Sequence, residues 1–135
     1  MTKDRLQRVY HLNNEIKMWQ RELDDLKNKS LIGSKATDGI SASGNREVDR
    51  VGEYAARKTD IEKIIEARLL ELQIARDEII RFIDNIPDSL TRQIVYYRSC
   101  NLMKWKEVAE CIGAGYTPDA VRMIYTRYIN ILKSK

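Results

Sequence analysis

The side chains able to do chemistry in this chain are cations, and they are gathered at one end. From Pro87 onward, Arg92, Arg98, Lys104, Lys106, Arg122, Arg127, Lys133 and Lys135 face only Asp88, Glu107, Glu110 and Asp119, whereas residues 1–86 carry as many acids as bases. The whole net charge of +4 therefore lies in the last third. A basic end on a neutral body points to a polyanionic partner. The surplus is small, so such binding must come from placement of the cations rather than from their number. Arg122 and Arg127 are the right type, because a guanidinium offers a bidentate fork to guanine and a charge to phosphates. Lys104 and Lys106 suit backbone phosphate contacts.

Other chemistries lack their parts. His11 is the only histidine, and Cys100 and Cys111 do not form a Cys-x-x-Cys pair, so no usual zinc site can be assembled and no metal or cofactor is expected. No nucleophile and base are set together, and the expectation is a protein that is not an enzyme. The Ser and Gly of residues 30–46 are not spaced as a phosphate cradle. No run of about eighteen apolar residues is present, and MTKDRLQRVYHLNNE has no apolar signal core. The expectation is a cytoplasmic protein with no membrane partner, its two thiols reading as small buried hydrophobes.

The elements that must position the cations are helical. Val9, Leu12, Ile16, Trp19, Leu23 and Leu26 alternate by three and four between Lys3 and Lys29, the spacing of a narrow coiled-coil seam. Trp19 reads there as a core anchor. Residues 30–46, SLIGSKATDGISASGNR, read as a flexible loop. Periodicity returns near Glu47 and continues to about Asn85 through Val51, Tyr54, Ile61, Ile64, Ile65, Leu69, Leu72, Ile79, Phe82, Ile83 and Ile86. A helix of that length, about 55–60 Å, needs a partner along its side. The first helix, folded back as an antiparallel hairpin, is that partner, and uncovered stripe is available to a second copy of the chain. Asp60, Glu62, Lys63, Glu66, Arg68, Glu71, Arg76, Asp77, Glu78 and Arg81 read as a solvated face.

Pro87 ends this helix. Asp88 reads as the N-cap of a helix over Ser89–Cys100 with Leu90, Ile94, Val95 and Tyr97 inward. A second short helix, Lys104–Ile112, carries Trp105, Val108, Ala109 and Ile112. Gly113-Ala114-Gly115-Tyr116 is a turn, Thr117 a cap, Pro118 a first helical residue, and Asp119 complements the helix dipole. The last helix runs to about Leu132. The succession is that of a tri-helical helix-turn-helix, with small Ala109 at the close crossing. On the last helix Val121, Ile124, Tyr128 and Ile131 are expected to face the core. Thr117, Asp119, Arg122, Met123, Thr126 and Arg127 are left outward.

Lys104-Trp105-Lys106-Glu107-Val108-Ala109, then Ile112-Gly113 and Ala120-Val121-Arg122, resemble the fourth region of bacterial sigma factors over residues 88–132. The whole chain, with its first helix, Ser/Gly loop, long helix and Ile86-Pro87-Asp88, is similar to a family of small phage and prophage proteins, related in kind to late-transcription regulators of the ArpU and RinA type. The resemblance implies a bacterial host, a last helix that reads the major groove through Arg122, Met123, Thr126 and Arg127, and RNA polymerase as a further candidate partner. The turn before Pro118 is one or two residues longer than is usual in the sigma module. Tyr125 lies where a basic residue is expected on a DNA face, either stacking on the sugar-phosphate or packing inward.

The expected fold is thus all-α, a helical hairpin over residues 1–86 and a helix-turn-helix domain over 87–135. The expected function is DNA binding in phage or prophage transcription regulation. Double-stranded DNA is touched by Lys104, Lys106, Thr117, Arg122, Met123, Thr126 and Arg127, and the hairpin makes a homo-oligomer. The alternative is a non-enzymatic adaptor or a small terminase-like packaging protein.

Overall fold

A computed structural model describes residues 1–36 and 44–133, with side chains described for residues 1–29 and 50–133. Its elements are α1 (Lys3–Ala36), α2 (Gly44–Asp84), α3 (Ser89–Val95), a π-helical turn (Tyr96–Cys100), α4 (Trp105–Ile112) and α5 (Pro118–Lys133). The fold is all-α, as expected, with no strand among the described residues. The expected loop over 30–46 is corrected. Helix continues through 30–36 and resumes at Gly44, so that only 37–43, outside the described residues, lie between α1 and α2. Ser and Gly lower helix propensity by about 1 kcal/mol at most, too little to end a helix already propagating.

Two compact units form, one from Met1–Asn13 with Glu71–Lys135 and one from Asn14–Leu70. The first unit takes in more than the segment beyond Pro87, because the start of α1 and the end of α2 join its core. Leu6, Val9 and Leu12 of α1 pack with Ala75 and Ile79 of α2, and with Ile86, Val95, Cys100 and Ile129. A second cluster in the same unit joins Ile94, Val108, Ala109 and Val121. Each fully buried Val, Leu or Ile contributes about 1.5–3 kcal/mol. Ala109 is buried at the crossing of α4 and α5, where its small volume was expected.

In the second unit α1 and α2 run antiparallel. Arg68 Nε donates to Glu15 Oε2 at 2.9 Å, and a shallow cleft farther along is lined by Glu22, Leu26, Arg57 and Ile61. Ile16 is buried, while Leu23, Leu26, Ile61, Ile64 and Ile65 are half-buried. Trp19 is half-buried too, with its indole N–H donating to Glu15 Oε2 at 3.1 Å. Val51 and Leu69, expected on the inner stripe of α2, are instead exposed. The seam of α1 is narrow and covers only the residues directly opposite it.

The segment after α2 folds as its caps dictate. Asn85 and Ile86 N–H groups bond back to the Phe82 and Ile83 carbonyls at 3.1 and 3.0 Å, tightening the last turn before Pro87. The Asp88 carboxylate accepts from Thr91 N–H at 3.0 Å and from the Thr91 hydroxyl at 2.6 Å. These bonds, the hydroxyl first, hold its carboxyl below the ordinary carboxylate range. Arg92 Nη1 donates to the Ile86 carbonyl at 2.7 Å and closes the corner.

The single helix expected over Ser89–Cys100 is also corrected. After Val95 the chain widens to π geometry, with Asn101 N–H reaching the Tyr96 carbonyl at 3.2 Å. Leu102, in the left-handed region at φ 56, follows it. The widening has a tertiary cause. It lets two neighbours be buried at once, Cys100 in the core with α1 and α2, and Ser99 through a 3.0 Å hydrogen bond to the Tyr125 hydroxyl of α5.

Candidate nucleic-acid interface

The turn between α4 and α5 sets the direction of α5. Gly113, Ala114 and Gly115 all have positive φ, at 70°, 53° and 78°. Gly113 also closes α4, its N–H donating to the Ala109 carbonyl at 2.9 Å. Thr117 caps α5 through a 3.1 Å bond from Ala120 N–H to its Oγ1. Pro118 then opens the helix and Asp119 sits in its first turn, as expected from the dipole and from proline's missing donor.

Counting about 100° per residue from Arg122, Thr126, Met123 and Arg127 fall within an arc of about 140°, and all four side chains are exposed. The opposite arc, about 200–340°, holds Ile124, Tyr128, Val121, Tyr125 and Ile129, all buried or half-buried. Ile131 falls near 180° on this count and is 52% exposed, which corrects its expected place in the core. Ile129, not singled out from the 3-4-3 spacing, is buried in its stead. The physical reason is that α5 has two sets of partners. The helix-turn-helix core takes Val121 and Ile124, while the core with α1 and α2 takes Ile129 and Leu132.

Tyr125 packs inward. It bonds Ser99 and meets Trp105 edge-on, ring centroids 5.3 Å apart. Arg98 also packs on Trp105, its guanidinium carbon 4.5 Å from the ring centroid and its Nη1 donating to the Met103 carbonyl at 2.8 Å. Arg122 is 3.7 Å from the Asp119 carboxylate, both groups being more than half exposed. Such a pair is weak and screened by salt, so Arg122 is not locked by it.

Lys104 and Lys106 are exposed at the start of α4, on either side of Trp105. Lys104 is the residue before the helix, in extended backbone at φ −68 and ψ 154. Of the residues expected at the interface, Arg122 and Thr126 line one groove of about 470 Å³ with Trp105. Lys104, Lys106, Thr117, Met123 and Arg127 lie outside it. The groove also takes in Lys3 and Tyr10 of α1 and Arg98 of the π turn, which sequence reasoning did not single out. Nothing local marks them. Lys3 and Tyr10 arrive because α1 packs in one core with α5, and Arg98 because it sits within the widened π turn.

Among the described residues no group of His, Cys, Asp and Glu is arranged to hold a metal ion, and no helix is long and apolar enough to cross a membrane. Comparison with protein-family models, with curated proteins and with solved structures finds no match to this chain.

Proposed function

We propose that the chain binds duplex DNA by laying the outer arc of α5 in the major groove, and that it acts in transcription regulation of the phage or prophage kind. The observation that carries this reading is the partition of α5. One arc is wholly given to two cores, and the other presents Arg122, Met123, Thr126 and Arg127 to solvent. A helix held this rigidly by its back can present guanidinium forks to base edges at low entropic cost. Lys104 and Lys106, exposed at the start of α4, add phosphate contacts, and the Thr117 hydroxyl is close enough to the start of α5 to join them. The reading further takes the protein to work in the cytoplasm of a bacterial host, without catalysis, beside RNA polymerase and as a homo-oligomer through the paired long helices.

The test is a fluorescence anisotropy titration on duplexes selected by the protein from a random pool. Arg122→Gln with Arg127→Gln is expected to weaken binding by about 2–6 kcal/mol, from roughly 1–3 per bidentate contact. Unchanged affinity of the double variant rejects the reading. A second reading, an adaptor or packaging component that assembles through its long helices, is favoured by the large apolar side chains that α2 leaves exposed, Leu69 and Leu70 among them. It predicts no duplex binding near 100 mM salt.

A further inference from the structure

The groove beside α5 gathers positive charge from three separate elements: Lys3 from α1, Arg98 from the π turn and Arg122 from α5. No Asp or Glu is among its lining residues. Arg122 has only its exposed, weak contact with Asp119 beside it, so the concavity carries a positive surplus that suits an anion. Arg98 is prepared for one. Its guanidinium is stacked on Trp105 and anchored by one N–H on the Met103 carbonyl, which leaves most of its five donors in a fixed orientation. Thr126 and Asn130 add neutral hydrogen-bonding groups along the α5 wall, and the half-exposed Tyr10 adds an aromatic one. The volume of about 470 Å³ admits a phosphate together with an attached sugar.

We propose that this groove is a phosphate-binding site in which Lys3 and Arg98 act together with Arg122. As to the source of the phosphate, the inference rests on the DNA-binding reading: it is a backbone phosphate of the duplex that α5 reads, flanking the bases. The packed start of α1 then works as a second arm of the interface. A free phosphate has the same chemistry, and the experiment separates the two.

The full chain carrying Trp19→Phe leaves Trp105, which lines the groove, as its one tryptophan. Its emission is titrated with a random-sequence duplex and, separately, with inorganic phosphate, and duplex affinity is measured over a salt series. Lys3→Gln, at an exposed first residue of α1, leaves the core untouched. The slope of log affinity against log salt is expected to fall by about one for Lys3→Gln and by about two when Arg98→Gln is added, as for one and two lost phosphate contacts. Lys17→Gln, an exposed cation of α1 outside the groove, should leave the slope unchanged. If Lys3→Gln retains the full slope while Arg122→Gln with Arg127→Gln abolishes binding, the DNA-binding reading stands and the groove proposal is overturned. If the duplex does not bind but inorganic phosphate shifts Trp105 emission, tenfold more weakly in Lys3→Gln, the site stands as one for free phosphate and the DNA-binding reading fails. No response to either ligand overturns the groove proposal outright.

Discussion

Gly113→Ala isolates the backbone's share in holding α5 in place. Gly113 sits at φ 70 and ψ −145, a region that side-chain-bearing residues essentially avoid. A Cβ built there meets no atom within 4 Å, so collision adds nothing and the cost is conformational alone. That cost is about 1–3 kcal/mol, offset by about 0.4–1 kcal/mol because alanine restricts the unfolded chain. The net loss is about 1.3 kcal/mol at the centre of these ranges. Urea denaturation followed by Trp105 emission in the Trp19→Phe background reads it as a midpoint lowered by about 0.5–1 M, for a slope of about 2 kcal/mol per molar. Ala114→Gly is the companion. Ala114 at φ 53 already carries left-handed strain of about 1–2 kcal/mol, so glycine should be neutral or stabilising by up to about 1 kcal/mol after the unfolded-state entropy is counted. A midpoint for Gly113→Ala equal to or above that of the unsubstituted protein refutes the reasoning, since it would mean that the turn does not need the conformation that orients α5.

Three further predictions follow from named contacts. Ile129→Ala, in the core with α1 and α2, should cost about 2–5 kcal/mol in urea denaturation, and Ile131→Ala, half exposed, less than about 1; equal losses would return the inner face of α5 to the 3-4-3 set. The Asp88 carboxyl is lowered from 3.8 by Thr91, so its contribution to stability is fully present above 3.8 and is lost as pH falls through the lower folded value. The thermal midpoint gap between the unsubstituted protein and Asp88→Ala should therefore close only in acid below 3.8, and a gap that closes between pH 5 and 7 contradicts the cap. Cys111 is exposed, whereas Cys100 is buried and its thiol is raised by burial, against a smaller opposing effect of Arg76. Alkylation of the folded protein near pH 8 should modify Cys111 and reach Cys100 only in denaturant, as intact mass and peptide mapping would show.

Much of the frame was legible because its signals are local. Pro87 and Asp88 end one helix and begin another by a missing donor and a capping carboxylate, and Thr117-Pro118-Asp119 starts α5 in the same way. The exposure of Arg122, Met123, Thr126 and Arg127 was legible too, as the complement of an apolar spacing. The periodic stripes do not pick out Leu6, Ala75 and Ile129, which are buried, and they put Leu69 and Val51 inside although both are exposed. Each of these depends on which residue of another helix stands opposite, and periodicity along one helix carries no information on that. The π turn was illegible for a related reason: its cause is the joint burial of Ser99 and Cys100 against partners far along the chain.

The amino-acid sequence by itself determined that the chain is helical, where its short helices start and stop, and that its charge surplus belongs to the last third. Hydrogen-bonding chemistry within four residues and periodic burial are enough for those. Only the tertiary structure decided that α1 and α2 share a core with α5, that the inner arc of α5 runs through Ile129 rather than Ile131, and that Lys3, Arg98 and Arg122 surround one groove. Like charges have no local reason to converge. They meet because apolar side chains on the same elements, Leu6, Cys100 and Ile129 among them, are driven together beneath them.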